Sequence, residues 1–574
     1  MSKLFFGDNL EILRKHVEQS TVDLVYLDPP FNSKANYNIL FKAPSGGDSQ
    51  AQIEAFEDTW HWNATAELAF DDVMQSGNTS AFEMLSSVRS FLGENDMMAY
   101  LTMMTVRLIE LHRVLKDTGS IYLHCDPTAS HYLKIMMDSI FGAQNFRNEI
   151  IWRRTGSHNS TKRYGPIHDV VLFYTKSGNY VWNKLTRPYM QGHVDKAFRF
   201  EDGQYRTNYS GNILTGSGTR NGISGKPWRG FDPTKKGRHW ALPSKLLEGL
   251  SDDLSSLSQH EKMDYLYEKG LITIKEGDEW PRYQRIITSD EGQYLPDIWA
   301  YQPYTEGTVF NSDDGVDADV RWMGTKDSER LGYPTQKPLG LLSRIISTSS
   351  EPGDVVLDPF CGCGTAIHAA EKQGRQWIGI DVTHLAITLI EKRMRDAFPS
   401  IEYEVEGSPR TVEGAQDLAD RDKYQFEWWA LSLIGAMPFK GKKKGSDGGI
   451  DGILYFRPEG LSGKPKKAIV SVKGGKNVGV SMIRDLLGTV ENDKDAEIGI
   501  FICLAEPTSH MSKEAVKSGF YQNTSWGKVP RIQMFTIDDL LNQGKAPQIP
   551  ALDPTMFKKA QAEIDEMQSD FFNP

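Results

Sequence analysis

Strand and helix signals alternate over residues 1–185, stop, and resume after residue 330, so one α/β domain of this chain is split into two separated pieces around an insert. VDLVYLD (Val22 to Asp28) is a short apolar, β-branched run ending in a Pro-Pro turn, and it reads as a buried strand. Helical spacing follows from Asp96 to Lys116, then a strand in GSIYLHCD (Gly119 to Asp126), a helix from His131 to Phe141 and a strand in DVVLFYTK (Asp169 to Lys176). After the gap come a helix from Leu339 to Ser347, the strand DVVLD (Asp354 to Asp358), a Gly-rich turn, a helix from Thr365 to Gln373 and the strand WIGID (Trp377 to Asp381). Helices between buried strands predict a mainly parallel sheet covered on both faces.

The intervening residues 186–330 are rich in Gly, Asn, Arg and aromatics, with one helical patch from Ser244 to Lys269, and read as an inserted recognition region. From about residue 420 the pattern changes again, with a helix holding FEWWALSLIG and then strands in ILYF and AIVSVK. A chain of 574 residues exceeds a single hydrophobic core. The partition expected is therefore 1–185 and 331–413 as the halves of one α/β domain, 186–330 as its insert, and 420–574 as a further domain.

Composition excludes disordered and fibrous classes, at 39% hydrophobic and 25% charged. Cys125, Cys361, Cys363 and Cys503 are too few and too scattered for a disulfide framework, which fits a reducing compartment. With no run of eighteen apolar residues and no leader-like N-terminus, the chain is expected to be cytoplasmic, with no membrane partner. The net charge of −11 argues against nucleic acid only while its distribution is ignored. Between Arg153 and Lys245 there are 17 Lys/Arg against 5 Asp/Glu, interleaved with Trp182, Trp228 and Trp240. A basic, aromatic stretch of this kind attracts a phosphate backbone, although a solvated loop-rich face would have the same composition. A second basic patch runs from Lys440 to Lys476, with 10 Lys/Arg against 3 Asp/Glu.

LDPFCGCGTA (Leu357 to Ala366) puts Gly362 and Gly364 at a strand-to-helix turn, where small residues admit a ligand to the backbone and to helix N-terminal amides. The following strand ends in Asp381, where an acid reaches ribose hydroxyls in doubly wound folds. Taken alone, these features fit a structural turn as well as a cofactor site. The spacing is neither GxGxxG nor GxxxxGK[ST], which lowers nicotinamide and ATP readings. It resembles the FxGxG motif of S-adenosylmethionine-dependent methyltransferases, with Phe360, Gly362 and Gly364 in the matching places and Asp358 and Thr365 beside them. Cys361 and Cys363 read as small fillers of a tight turn, since zinc wants four ligands.

LDPPF (Leu27 to Phe31) carries the chemical signal. An exocyclic amine on a base is a poor nucleophile because its lone pair is delocalised into the ring. Two acceptors on its hydrogens favour pyramidal geometry and aim that lone pair at a methyl carbon. The Asp28 carboxylate and the Pro29 carbonyl are the candidate acceptors; Pro30 stiffens the turn and Phe31 offers a ring for an unstacked base. For an isolated Asp-Pro-Pro, a strand simply stopped by two prolines is the competing reading.

Together, DPPF ahead of FxGxG with a recognition region between them resembles the β-class, permuted DNA amino-methyltransferases, over about residues 1–400. The resemblance implies a permuted Rossmann-like fold, S-adenosylmethionine as cofactor, double-stranded DNA as substrate and a flipped base. LFFGDNLEIL resembles the family's cofactor-adenine strand, which puts Asp8 near the cofactor. TQKPLGLLSRII places Gln336, Lys337 and Pro338 near it as well, and HCDPTASHYLK and HDVVLFYTK place Asp126 and His168 near the target pocket. Cytosine-N4 members typically carry Ser at the position of Asp28, so adenine N6 is the expected acceptor, with cytosine N4 the alternative. Carbon methylation would need a Pro-Cys nucleophile, and the chain has none. Arg153, Arg154, Lys162 and Arg163 form the densest basic cluster and are read as phosphate-positioning residues. A homodimer and a separate restriction or defence-system subunit both remain open as partners.

The C-terminal stretch FEWWALSLIG, GSDGGIDGILYF, AIVSVKGG and EIGIFICL resembles the Mrr-type branch of PD-(D/E)xK endonucleases. The resemblance implies Asp451 as the metal aspartate, with Glu427 and Lys473 nearby and Mg²⁺ as the ion, for this domain only. The chain departs from that pattern at Ser471, where the family usually has Glu or Gln. A neutral hydroxyl is a weaker ligand. Two readings stay open, a fused restriction-modification enzyme that cuts DNA and a domain that only binds it.

Overall fold

The computed structural model describes the chain apart from residues 1, 31–35, 43–47, 58–60, 157–161, 163, 202–203, 208–213, 244–253, 284–285, 288–291, 325–326, 334, 440–448, 460–463, 524–526, 551–562 and 564–574. Two compact units result, one of residues 1–183, 297–300 and 319–574, the other of 184–296 and 301–318.

A nine-stranded sheet organises the first unit. Its strands are β1 (Lys3–Phe6), β2 (Val22–Leu27), β3 (Leu115–Cys125), β4 (Phe146–Arg153), β5 (His168–Thr175), β6 (Ile298–Trp299), β7 (Val355–Asp358), β8 (Gln376–Asp381) and β9 (Glu404–Glu406). Their order is β6-β4-β5-β3-β2-β7-β8-β1-β9, and only β5 runs against the rest. The two sequence pieces meet where β2 pairs with β7, with Leu24 opposite Val356 and Val25 opposite Leu357.

Alternation along β2 sends Leu24 and Tyr26 into one apolar layer and Val25 and Leu27 into the other, so the strand is buried on both faces. Helices α1 (Asn9–His16) and α2 (Asp96–Val114) fill the second layer; α3 (Leu339–Ser349), α4 (Thr365–Lys372) and α5 (His384–Ala397) fill the first. This is the α/β class expected from the sequence. The strand β4, which the sequence reading did not anticipate, adds a β-hairpin-like antiparallel partner for β5.

Beyond β9, α6 (Lys423–Ser432) leads into a five-stranded mixed sheet in chain order: β10 (Met437–Pro438), β11 (Gly452–Phe456), β12 (Lys466–Lys473), β13 (Ala496–Cys503) and β14 (Ile532–Thr536). The last three strands are parallel.

The second unit holds short two- and three-stranded sheets and a helix, Gln259–Glu268, closed by a Ser258–Glu261 capping box. This helix is the described part of the patch expected from Ser244 to Lys269; residues 244–253 lie outside the described residues. Of the three tryptophans in the basic stretch, Trp228 and Trp240 are core, 4% and 1% exposed in the unit's apolar cluster, while Trp182 is 47% exposed. Among the described residues no helix is long and apolar enough to cross a membrane.

Candidate active site

Parallel pairing in register brings the carboxyl ends of four strands to one edge. Phe6 lies opposite Asp381 and Asp358 opposite Gly379, beside the end of β2. From the β2–β7 pair the chain winds outward in opposite directions, and ligands of open α/β sheets bind in the crevice this leaves. A cavity of about 300 Å³ occupies it, lined by Asp8, Tyr26, Asp28, Pro29, Pro30, Arg107, Tyr333, Lys337, Asp358, Phe360, Gly362, Thr365 and Asp381.

At one end is the glycine turn. Gly362 and Gly364 have φ of +51° and +75°, in the left-handed region, and a Cβ on Gly364 would stand 2.9 Å from Ile390 Cγ1. Gly364 lies just before α4 without lining the cavity. The Gly362 N–H donates to Asp381 Oδ2 at 3.0 Å, while Asp381 Oδ1 accepts the N–H and hydroxyl of Thr383, both at 2.9 Å. Asp381 thus ties the turn to the N-terminus of α5 and keeps a lone pair on Oδ2. Burial pushes its carboxyl up to about 6. Asp358 is also pushed well above the usual carboxylate range, mainly by burial and then by the like charges of Asp28 and Asp381. Behind the turn, buried Arg393 donates to the Cys363 carbonyl at 3.3 Å and to Thr365 Oγ1 at 3.1 Å.

At another wall, Asp8 caps α1 by accepting the Leu10 and Glu11 N–H groups, and its Oδ2 accepts from Arg107 at 2.7 Å. Its neighbour Asn9 was not singled out from the sequence. The Asn9 amide donates to the Pro359 carbonyl at 2.8 Å and accepts from Arg107 Nε at 2.6 Å, joining the two sequence pieces.

The DPP corner sits between these walls. Lys337, expected beside the cofactor, lines the same cavity but donates to Asp28 Oδ2. The other carboxylate oxygen, Asp28 Oδ1, is buried and has no hydrogen-bond partner. Phe31 lies outside the described residues.

Sequence reading also missed a buried polar chain beneath this corner. The Tyr26 hydroxyl is 3.0 Å from His124 Nδ1, His124 Nε2 is 3.1 Å from Asp169 Oδ2, and Arg154 Nε is 3.2 Å from Asp169 Oδ1. Burial works to raise the Asp169 carboxyl, but the His124 hydrogen bond and the charges of His124, Lys337 and Arg154 outweigh it and hold the group low. Asp126 and His168, expected near the pocket, do not line the cavity. Asp126 accepts the Thr128 and Ala129 N–H groups at the start of a helix, and His168 stands opposite Arg153 in the sheet.

Of the four basic candidates, Arg153 lies over the Trp322 ring at 4.9 Å and Arg154 is tied to Asp169. Lys162 is exposed, and Arg163 lies outside the described residues.

In the C-terminal sheet, Asp451 Oδ2 gathers three donors: Ser471 Oγ at 3.2 Å, the Val472 N–H at 2.7 Å and Lys473 Nζ at 3.2 Å. Glu427 on α6 is pushed up to about 7, by burial and then by the Asp451 charge. Among the described residues no three His, Cys, Asp or Glu side chains cluster in a metal-holding arrangement. The four cysteines are free and buried.

A family model described as DNA methylase matches residues 22–392, and one described as restriction endonuclease matches residues 418–541. The type II methyltransferase M.EcaI of Enterobacter cloacae is 28% identical over 396 residues, which cover 68% of this chain and 69% of that one. The Mod subunit of the type III restriction-modification enzyme StyLTI of Salmonella typhimurium is 26% identical over 375 residues, covering 63% of this chain but 48% of the subunit. Among solved structures, the PvuII DNA methyltransferase, cytosine-N4-specific, is 13% identical and covers 70% of this chain and 89% of that one. Its TM-score to this chain is 0.32.

Proposed function

Because this chain belongs to the DNA methylase family, we propose that it moves a methyl group from S-adenosylmethionine to an exocyclic base nitrogen in double-stranded DNA, with N6 of adenine the acceptor. One observation carries the reading. Asp28 holds a buried, unpartnered carboxylate oxygen in the same cavity as the Gly362 turn and Asp381.

The residues present fit the cofactor. Asp381 Oδ2 has a lone pair left for a ribose hydroxyl, Gly362 leaves the backbone approachable, and Phe360 and Pro359 supply apolar wall. The Asp8, Asn9 and Arg107 wall takes the nucleoside end, and Thr365, Asp358 and Gly364 keep the turn in shape. When bound, S-adenosylmethionine supplies an electrophilic methyl on a sulfonium. The chain's own part is to orient the nucleophile. Asp28 Oδ1 and the Pro29 carbonyl accept the two amine hydrogens, which turns the nitrogen lone pair towards the methyl carbon. Pro30 fixes the turn and Phe31 stacks on the flipped base. Arg153, Arg154, Lys162 and Arg163 contact phosphates, Arg154 by exchanging Asp169 for the backbone.

Asp28, where cytosine-N4 relatives of the class typically carry Ser, favours adenine. Single-molecule sequencing of DNA from a methylation-free host expressing the chain reports both base and site. N6-methyladenine at one motif is the expected result; N4-methylcytosine would replace the adenine assignment, and unmodified DNA would end it.

A second reading concerns residues 418–541. Glu427 and Asp451 are two carboxylates that would hold Mg²⁺, with Lys473 beside them, whereas Ser471 adds only a neutral hydroxyl and donates to Asp451. This set favours DNA binding without cutting. Mg²⁺-dependent cleavage of unmethylated plasmid, lost in Asp451→Ala, would establish a fused restriction-modification enzyme instead.

A further inference from the structure

Asp28 and Lys337 stand 309 residues apart in sequence, yet they form an ion pair inside the cavity with Lys337 only 8% exposed. The segment carrying Lys337 is braced to deliver it there. Gln336 accepts the Leu331 N–H and donates to the Glu329 carbonyl, both at 2.8 Å, and Glu329 Oε1 accepts the Leu339 N–H at the first turn of α3 at 2.6 Å. A carboxylate's terminal torsion is broad and roughly two-fold, so an untethered Asp28 could present either oxygen at many angles. With Oδ2 held by Lys337, only Oδ1 is left, and it is the buried atom without a partner.

We infer that Lys337 is a positioning residue for the transfer: it pins Asp28 Oδ2 and leaves Oδ1 as the carboxylate oxygen that accepts from the amine, beside the Pro29 carbonyl. The inference rests on the methyltransferase reading and assigns a role other than cofactor binding to this lysine. The Lys337 charge also reaches two further carboxyls, Asp358, and Asp169, where it acts together with His124 and Arg154.

The test uses the full chain, unmethylated plasmid and S-adenosylmethionine with a labelled methyl group. Single-turnover rates at saturating cofactor and DNA are read for wild type, Lys337→Met, Lys337→Gln and Lys337→Arg, beside cofactor affinity by calorimetry and thermal melting. Lys337→Met should lower the rate about a hundredfold, the scale of losing one positioned polar group. It should leave cofactor affinity within about threefold. Lys337→Arg, which keeps a cationic donor, should recover much of the wild-type rate, and Lys337→Gln, which retains a donor without charge, decides the matter if the Met variant does not fold. Cofactor affinity lowered tenfold or more with an unchanged saturated rate would return Lys337 to the cofactor and overturn the inference, as would a saturated Lys337→Met rate equal to that of the wild type. No label transfer by the wild type would instead remove the methyltransferase reading itself.

Discussion

Asp28 and Asp381 are both half-buried carboxylates lining one cavity, yet their hydrogen bonding sets them different tasks. Asp28 has an oxygen to spare, so Asp28→Ala should cut turnover at least about a hundredfold with cofactor affinity within threefold, measured by single-turnover transfer and calorimetry. Asp381 spends three hydrogen bonds on Gly362 and Thr383, so Asp381→Ala should weaken S-adenosylmethionine about ten- to hundredfold and also lower the melting temperature. Glu427 makes a pH prediction. Its carboxyl rises from 4.5 to about 7 on folding, so the folded state holds the proton more tightly and the group's contribution is intact below about 4.5. That contribution is lost as pH climbs towards 7, and Glu427→Gln should flatten the fall in melting temperature over this window. Asp28, Gly362 and Asp381 were legible in the sequence because their chemistry is local to a strand end or a turn. Tyr26, His124 and Asp169 were not, since each sits in an apolar strand and its partner is decided only by the order in which β2, β3 and β5 pair.

Elements show the same division. The glycine turn could be read from its spacing, and its geometry adds a reason that composition lacks, namely the closeness of Ile390 on α5. Gly364→Ala should therefore cost about 1–3 kcal/mol through its positive φ, with Ile390 resisting the new methyl, and calorimetry should show weaker cofactor binding. Parallel strands were legible from their β-branched runs. The position of β4 was not, because an edge-side hairpin partner needs no unbroken apolar run; Glu149 and Arg147 interrupt it. Trp228 and Trp240 misled for a related reason, as an aromatic in a basic stretch looks the same on a surface and in the core of a small folded unit.

On the scale of the whole chain, the apolar cluster that holds Leu385, Leu389 and Ile390 of α5 continues into Trp428, Trp429 and Leu431 of α6. Gln425 Oε1 also accepts the His384 N–H at 3.1 Å. A chain ending after Glu413 would uncover that face, and it should melt several degrees lower and self-associate, as followed by light scattering, even if some transfer activity survives. Sequence spacing suggested a boundary between 413 and 420 because composition changes there, but packing across it depends on which face α5 leaves for a partner. The place of β1 in the sheet has a consequence in time. Both of its neighbours, β8 and β9, are translated more than 370 residues after it, so on the ribosome the first strand made is among the last to be paired. Gly7 and Asp8 can close their wall of the cavity only after Asp381, whose carbonyl the Gly7 N–H meets, has been made, and a nascent chain interrupted earlier carries its DPP corner without a finished pocket to use it.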